Sequence, residues 1–302
     1  GVYPAPGTDA VSDGNEATQP VTAEVWAEHS FWPQDPQIPL AIAGGVTALQ
    51  ARPGAANLLG GRGVTLRLVP ARTVQEMKFP GAPHGLKMAC GENPKRVYGE
   101  KGGPSTRMAN LAGYRTAFIR AERYRRTWDR WTSGIDSTLP ERDLELESLA
   151  DVLRGRILVQ NHCYRADEMA QMLDLAREFG FRIRSFHHAV ESYKIADLLA
   201  RDSVGSSVWA DWWGFKLESL DGIPENAAML ERAGAPVMTG QQVALFISAG
   251  QGAGGAIVPN VIGQPAEQAA KSIADVFLIA VLFDPPKGIG LGGTVTDQVP
   301  SP

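Results

Sequence analysis

Ile157-Leu158-Val159-Gln160-Asn161-His162-Cys163 reads as a β-strand: aliphatic residues fill its first half and polar residues close it. Residues 166–179 then read as a helix, because Met169, Met172, Leu173, Ala176 and Phe179 recur at helical spacing and Gly180 supplies the stop. The run Arg182-Ile183-Arg184-Ser185-Phe186-His187-His188 is the next strand, and residues 191–200 are the next helix. Residues 204–209 make a third strand, Pro224 opens a helix through Arg232, and Gly234 ends it. Strands and helices alternate across short links, the pattern of a parallel sheet covered by helices. Periodicity alone leaves both a closed barrel and an open doubly wound sheet available.

Outward from this core the pattern loosens. Residues 46–50 and 85–90 look like strands, and residues 52–83 between them are rich in Gly and Pro. A loop that long in a compact domain is either functional or hides structure. Residues 107–130 form a basic helix whose Arg123, Arg125, Arg126 and Arg130 read as a solvated face, and residues 143–153 form another helix. After about Pro236 the rhythm stops, and Ser248-Ala249-Gly250-Gln251-Gly252-Ala253-Gly254-Gly255-Ala256 reads as flexible loop. Its glycines lack the Gly-Lys-Ser/Thr of a phosphate loop.

The formal net charge of −4 offers no footprint for nucleic acid or an anionic membrane surface. No apolar run reaches the roughly 18 residues of a membrane span. Cys90 and Cys163 lie in apolar strand runs and read as reduced core thiols, which leaves the compartment open between cytoplasm and export. The chain starts with Gly instead of Met, so it reads as a fragment or a processed form.

Three of the five histidines, His162, His187 and His188, stand at two successive strand ends. Histidines at the carboxyl ends of strands in a β/α repeat are where a barrel builds its active site, and neutral imidazole is a common metal ligand. The plainer reading of His162 is a satisfied strand-terminal residue. His187 and His188 are neighbours, so in a regular strand only one of them faces the same cavity as His162. Lys87 interrupts an apolar strand, where a lysine is costly unless paired, modified or metal-bound. Glu92 and Asp211 also follow strands, and Trp209, Trp212 and Trp213 around Asp211 make either a substrate wall or a packed corner. His29 and His84 have no metal-ligand spacing to another ligand.

These motifs together resemble the metal-dependent amidohydrolases, in the branch related to imidazolonepropionase. The resemblance runs over about residues 1–234. It rests on residues 9–16, on Gly44-Gly45-Val46-Thr47, on Pro53-Gly54-Ala55-Ala56-Asn57-Leu58-Leu59-Gly60-Gly61, on residues 86–96 and on the two histidine motifs, in that order. It implies a (β/α)8 TIM-type barrel in the α/β class that binds one or two divalent metals, usually zinc, and hydrolyses carbon–nitrogen bonds of small amide-like molecules. By position, His162 and His188 match histidine ligands. Lys87 matches a lysine that many relatives carboxylate, with Glu92 as its rival, and Tyr164 and Arg165 match a substrate loop. Asp211 is a further substrate-side candidate. Two departures imply an incomplete barrel. The family's His-x-His pair belongs just before Gly1, and the place of its last-strand aspartate reads Ala235-Pro236-Val237-Met238-Thr239, with no carboxylate until Glu267. The expected organisation is therefore a partial hydrolase barrel over 1–235 and a divergent Gly/Ala-rich segment over 236–302, with strand edges that a homo-oligomer would cover. An inactive, ligand-binding barrel is the alternative to an enzyme. His162, His188 and either Lys87 or Glu92 are expected to share one cavity, with His187 turned away from it.

Overall fold

The computed structural model describes residues 13–209, 212–214 and 216–239, all within the first of two units of the chain, Gly1–Ala244. Asp211 and the segment beyond residue 239 lie outside the described residues. In chain order the elements are α1 (Gln37–Ala43), β1 (Ala48–Ala51), β2 (Leu59–Arg67), α2 (Val74–Met77), β3 (Gly85–Ala89), α3 (Glu92–Tyr98), α4 (Arg107–Thr132) and α5 (Leu144–Leu153). They continue as β4 (Leu158–Cys163), α6 (Ala166–Phe179), β5 (Ile183–His188), α7 (Ala196–Arg201), β6 (Gly205–Val208), α8 (Asn226–Arg232) and β7 (Val237–Thr239).

The seven strands form one sheet in sequence order, β1 to β7. From β3 to β7 every pairing is parallel. Sequential parallel strands with right-handed crossovers put their helices on one side, so the sheet curls into a half-barrel instead of being covered on both faces. This α/β arrangement agrees with an incomplete barrel, and the parallel run continues past residue 235 into β7.

The first part of the sheet departs from the expected parallel pattern. β1 pairs antiparallel with β2, and β2 antiparallel with β3. Only residues 52–58 join β1 to β2, too few for the crossover that parallel pairing demands. The Gly-rich stretch thus hides a nine-residue strand, β2. Its Asn57 is a structural hub: the side-chain amide donates to the Glu16 and Gln19 carbonyls, to Thr22 Oγ1 at 3.0 Å and to Tyr98 Oη at 2.8 Å.

α6 has the predicted bounds. Its buried Met169, Met172, Leu173 and Ala176 face the sheet, Asp167 and Glu168 favour its N-terminal dipole, and Gly180 closes it at φ 73°. α4 is capped by Thr106, whose hydroxyl accepts the Ala109 N–H at 3.1 Å, and it buries Tyr114, Phe118 and Ala121. The Phe118 ring stacks on Phe181 at 4.5 Å. Solvent-side arginines of α4 are matched by acids: Arg115 with Glu178, Arg120 with Glu145, and Arg130 with Asp136. The segment expected as a helix at 191–200 is instead a 3-10 turn, Ser192–Ile195, followed by α7.

Cys90 and Cys163 are joined as a disulfide, contrary to the expected free thiols. Ala89 pairs with His162 across β3 and β4, so the next residue of each strand is also opposed, and the two Cα atoms lie 5.2 Å apart. That separation suits a bridge. Sequence carries no register, and so no signal of this proximity.

Candidate active site

Parallel register sets the site. Lys87 pairs with Gln160, Ala89 with His162, and His162 in turn with His187. Neighbours in register point to the same face, so Lys87, Gln160, His162, Ser185 and His187 belong to the concave side. Leu86, Met88, Val159 and Phe186 alternate with them and join the core beneath the helices.

His188 breaks the alternation. It closes β5 at φ 71°, and Ala189 follows at φ 36°. Two successive non-glycine residues in the left-handed region are strained and persist only where the surroundings hold them. Here Asn226 does much of the holding. Its amide donates to the Ala189 and Val190 carbonyls at 3.0 and 3.1 Å, and its oxygen accepts from Ser192 Oγ and the Tyr193 N–H. The turned backbone brings the His188 ring to 4.6 Å from the His162 ring. His187 does not turn away as expected. It keeps its regular strand direction, on the same concave face, so the alternation rule failed where the backbone reverses at His188.

The three imidazoles are held neutral. Burial, the His188 ring and then Lys87 push His162 down to about 2. Burial followed by Arg52 and Lys87 takes His187 to about 3, and burial followed by Lys87 takes His188 to about 4. Lys87, only 7% exposed, is itself lowered to about 8 by burial and by Arg52. Its Nζ reaches the Pro53 carbonyl at 3.4 Å and pairs with no carboxylate among the described residues.

A ring stack walls one side. Tyr164 lies parallel to His188 at 5.4 Å, Trp212 parallel to His188 at 5.1 Å, and Trp209 on Trp212 at 4.5 Å. The Trp209 indole N–H donates to His188 Nδ1 at 2.9 Å. A neutral His188 in that bond carries its proton on Nε2. The Asn93 amide stands 3.2 Å from His162 Nε2, while His162 Nδ1 is buried without a hydrogen-bond partner among the described residues. Burial raises the Tyr164 phenol, so it stays protonated.

Glu92 and Lys87 occupy different surroundings. Glu92 pairs with Lys216 at 3.0 Å, and Lys216 also meets Glu218 at 3.2 Å and lies over the Tyr164 ring at 3.9 Å. Glu218 accepts the Glu92 N–H at 2.9 Å and binds Arg107, which also holds Glu168 at 3.0 Å. Glu92 is thus part of an ion network, whereas the charge of Lys87 is felt by all three histidines. Arg165 gives its guanidinium fork to Asp167 at 2.9 and 2.8 Å. Among the described residues no three His, Cys, Asp or Glu side chains are grouped closely enough to hold one ion.

Sequence reading missed Arg52, Asn93 and Asn226. Arg52 Nη1 donates to His187 Nε2 at 2.7 Å, and Ser185 Oγ shares that nitrogen at 2.9 Å. Asn93 lies in the 86–96 motif without a role readable there, whereas Arg52 and Asn226 are brought in only by strand register and loop packing. Trp209 was legible as part of an aromatic cluster, but its bond to His188 was not.

No family profile matches the chain. It is 34% identical over 280 residues to the protein named amidohydrolase tasK from Hapsidospora irregularis, a match covering 83% of this chain and 28% of that protein. It also resembles the crystal structure of an amidohydrolase from Thermotoga maritima MSB8, at 39% sequence identity and a TM-score of 0.70, over 75% of this chain and 59% of that one. The chain therefore spans less than two thirds of the length of each.

Proposed function

Because this chain is a relative of the amidohydrolases, we propose that it hydrolyses a carbon–nitrogen bond in a small amide-like molecule with the help of a divalent metal, zinc in the imidazolonepropionase-related branch it resembles. The observation that carries this reading is the meeting of His162 and His188 at neighbouring parallel strand ends, with both imidazoles kept neutral by burial and Lys87 on the same concave face. A metal requires deprotonated nitrogen donors, and the two neutral imidazoles fit one in chemistry. His162 and His188 would hold it, together with Lys87 once carboxylated, as the resemblance implies, or with Glu92 in its place. These do not complete a four-coordinate shell, so further ligands have to come from outside the described residues. When bound, the metal acidifies water and polarises the amide carbonyl.

The chain's own residues then have separate tasks. The stack of Tyr164, His188, Trp212 and Trp209 offers a flat apolar wall for a planar amide and excludes water. The Tyr164 hydroxyl, protonated at neutral pH, can donate a hydrogen bond to substrate. Asn93 fixes the His162 ring, and Asn226 fixes the turn that presents His188. Asp211, a substrate-side candidate from the sequence, lies outside the described residues.

The test is a panel of amides assayed with added zinc, with chelator, and with His162→Ala. Turnover that needs metal and falls at least about 100-fold in His162→Ala is expected, the scale of losing a group essential to the chemistry. Metal-independent turnover, or turnover indifferent to His162, would remove this reading.

A further inference from the structure

The Cys90–Cys163 bond joins the two strand ends that carry the site, from the face opposite the imidazoles. Cys90 follows β3 and Cys163 closes β4. His162 precedes Cys163 in β4, and Cys163 pairs in register with His188 of β5. Successive strand residues point to opposite faces, so the His162 ring lies on the concave side while Cys163 and Cys90 join the core beneath the helices. Cys90 is 4% exposed and Cys163 0%, so the bond is sheltered from reductants in the solvent. Both cysteines adjoin backbone that presents an imidazole. The Cys90 N–H donates to the His162 carbonyl at 2.9 Å, where the pairing of β3 with β4 ends. Gly91 follows at φ 80°, and glycine restrains the chain least, so the loop after β3 needs a hold. Three residues beyond Cys90, the Asn93 amide stands 3.2 Å from His162 Nε2. On the other side, the Cys163 carbonyl accepts the Ala189 N–H at 2.9 Å, and Ala189 with His188 forms the strained left-handed turn. Such strain persists only where its surroundings over-determine it.

We propose that the Cys90–Cys163 disulfide is a positioning clamp for the site: it holds the ends of β3 and β4 together so that His162 meets Asn93 and His188 keeps its reversed turn. The sulfurs act through the backbone from the convex side, so the two cysteines are positioning residues. A disulfide also stabilises a fold by constraining the unfolded chain, and this one spans 73 residues of sequence. That effect is indifferent to what lies beside the bond, whereas this bond has His162 next to it in sequence and His188 across from it in register. The clamp closes when the two thiols give two electrons and two protons to a disulfide oxidant such as oxidised glutathione. The protein S–S bond forms as that of the oxidant breaks, and the oxidant leaves as two thiols. That the clamped imidazoles serve a metal rests on the hydrolase reading; the clamp itself does not.

The full chain is exposed to oxidised glutathione and its free thiols are counted after denaturation. None is expected, and any that remain overturn the proposal. The ring nitrogens of His162 and His188 are then followed by NMR in the metal-free chain, and zinc affinity is measured by competition with a chromophoric chelator. In the parent the His188 ring should show one tautomer, its proton on Nε2, as the Trp209 bond requires. In the double variant Cys90→Ala, Cys163→Ala the signals of both rings should broaden or move toward a tautomer average. Zinc should bind it about tenfold more weakly, the scale of losing what orients a ligand. Phe118→Leu, whose ring stacks on Phe181 before β5 and so at the other end of the strands, is the control. It should lower the unfolding temperature and leave the rings and zinc affinity unchanged. A double variant that behaves like this control, less stable but with parental rings and zinc affinity, overturns the proposal. Should the double variant fail to fold, the folded parent is reduced with a phosphine, which becomes its oxide as water supplies the oxygen and both thiol protons. Ring signals that change as thiols appear, in a chain still folded, uphold the clamp. Loss of the whole fold in step with the thiols makes the bond a general cross-link and overturns its local role. Altered rings in a chain that binds no zinc in either form uphold the clamp and remove the metal reading. Unaltered rings with firm zinc binding in both forms do the reverse.

Discussion

On the convex face of the half-barrel, Leu86, Met88, Val159 and Phe186 are fully buried beneath the helices; on the concave face the same strands carry Lys87, Gln160, His162 and His187. Burial does not distinguish the two, since His162 is 3% exposed and Lys87 7%. What differs is the sign of the energy. Each apolar side chain removed from water on the convex face stabilises the fold by about 1.5–3 kcal/mol. On the concave face, burial works against the charged form of every group: the imidazoles are kept neutral, and Lys87 and Arg52 have no acid partner among the described residues. Perturbed ionisable groups gather where chemistry needs them, which is why the proposed site is placed on this face.

The comparison is broken most forcefully from the convex side. Phe186→Ala empties a fully buried position among Met169, Met172 and the strand aliphatics. It is expected to lower the unfolding free energy by about 3–5 kcal/mol. Urea unfolding under non-reducing conditions measures this, and a loss below about 1 kcal/mol would mean that the convex face does not carry the core.

The concave face predicts the opposite sign. Lys87 falls from 10.5 to about 8 on folding. Below pH 8 it is charged in both states and the folded state bears the full penalty, about 3 kcal/mol at 1.36 kcal/mol per pKa unit. Between pH 8 and 10.5 the folded state has already released the proton and the unfolded state has not, so stability should rise with pH in that window. Lys87→Met, similar in volume and uncharged, should remove the rise and stabilise the protein at pH 7 by up to that amount while abolishing any metal-dependent turnover. A variant less stable than the parent at pH 7 would show that Lys87 has a partner in the folded protein.

The two faces also differ in how far the sequence discloses them. The helical spacing of Met169, Met172, Leu173 and Ala176 placed α6 without error, since a one-sided apolar stripe reports directly on what it packs against. The antiparallel hairpin of β1 and β2 stayed hidden, because glycines at 60, 61 and 63 erase the alternation of β2. On the concave side, the histidines and Lys87 were visible as polar residues interrupting strands. The reversed φ of His188, the Cys90–Cys163 bridge and the reach of Arg52 from another strand are products of register and turn geometry, to which no local pattern corresponds.

A subtler probe concerns the wall of the site. The Trp209 N–H occupies His188 Nδ1, which in a neutral ring leaves the proton on Nε2. A metal-bound histidine needs the reverse, a free lone pair facing the ion and a donor N–H behind it. Trp209→Phe keeps the ring stack and deletes the competing bond, worth about 1 kcal/mol. Zinc should bind roughly fivefold tighter to the variant, as measured by competition with a chromophoric chelator. Weaker binding would mean that Trp209 supports the ligand orientation instead of opposing it, and unchanged binding would separate His188 from the ion.

The smallest effect is expected where charge is abundant and exposed. Arg115 on α4 meets Glu178 on α6 at 2.9 Å, and both side chains are more than 40% exposed. Water screens such a pair, and holding two long side chains in one geometry opposes the Coulomb gain, so the coupling should be about 0.2–1 kcal/mol. A double-mutant cycle with Arg115→Ala and Glu178→Ala isolates it, and the value should shrink at high salt because the Debye length falls to about 3 Å at 1 M. Arg52 differs in both respects: it is sheltered, and no acid among the described residues faces it. If the Arg115–Glu178 coupling proved as large as the pH-linked effect of Lys87, then shelter would not be what sets the energy of a concave cation, and the distinction would reduce to the number of charges in each place.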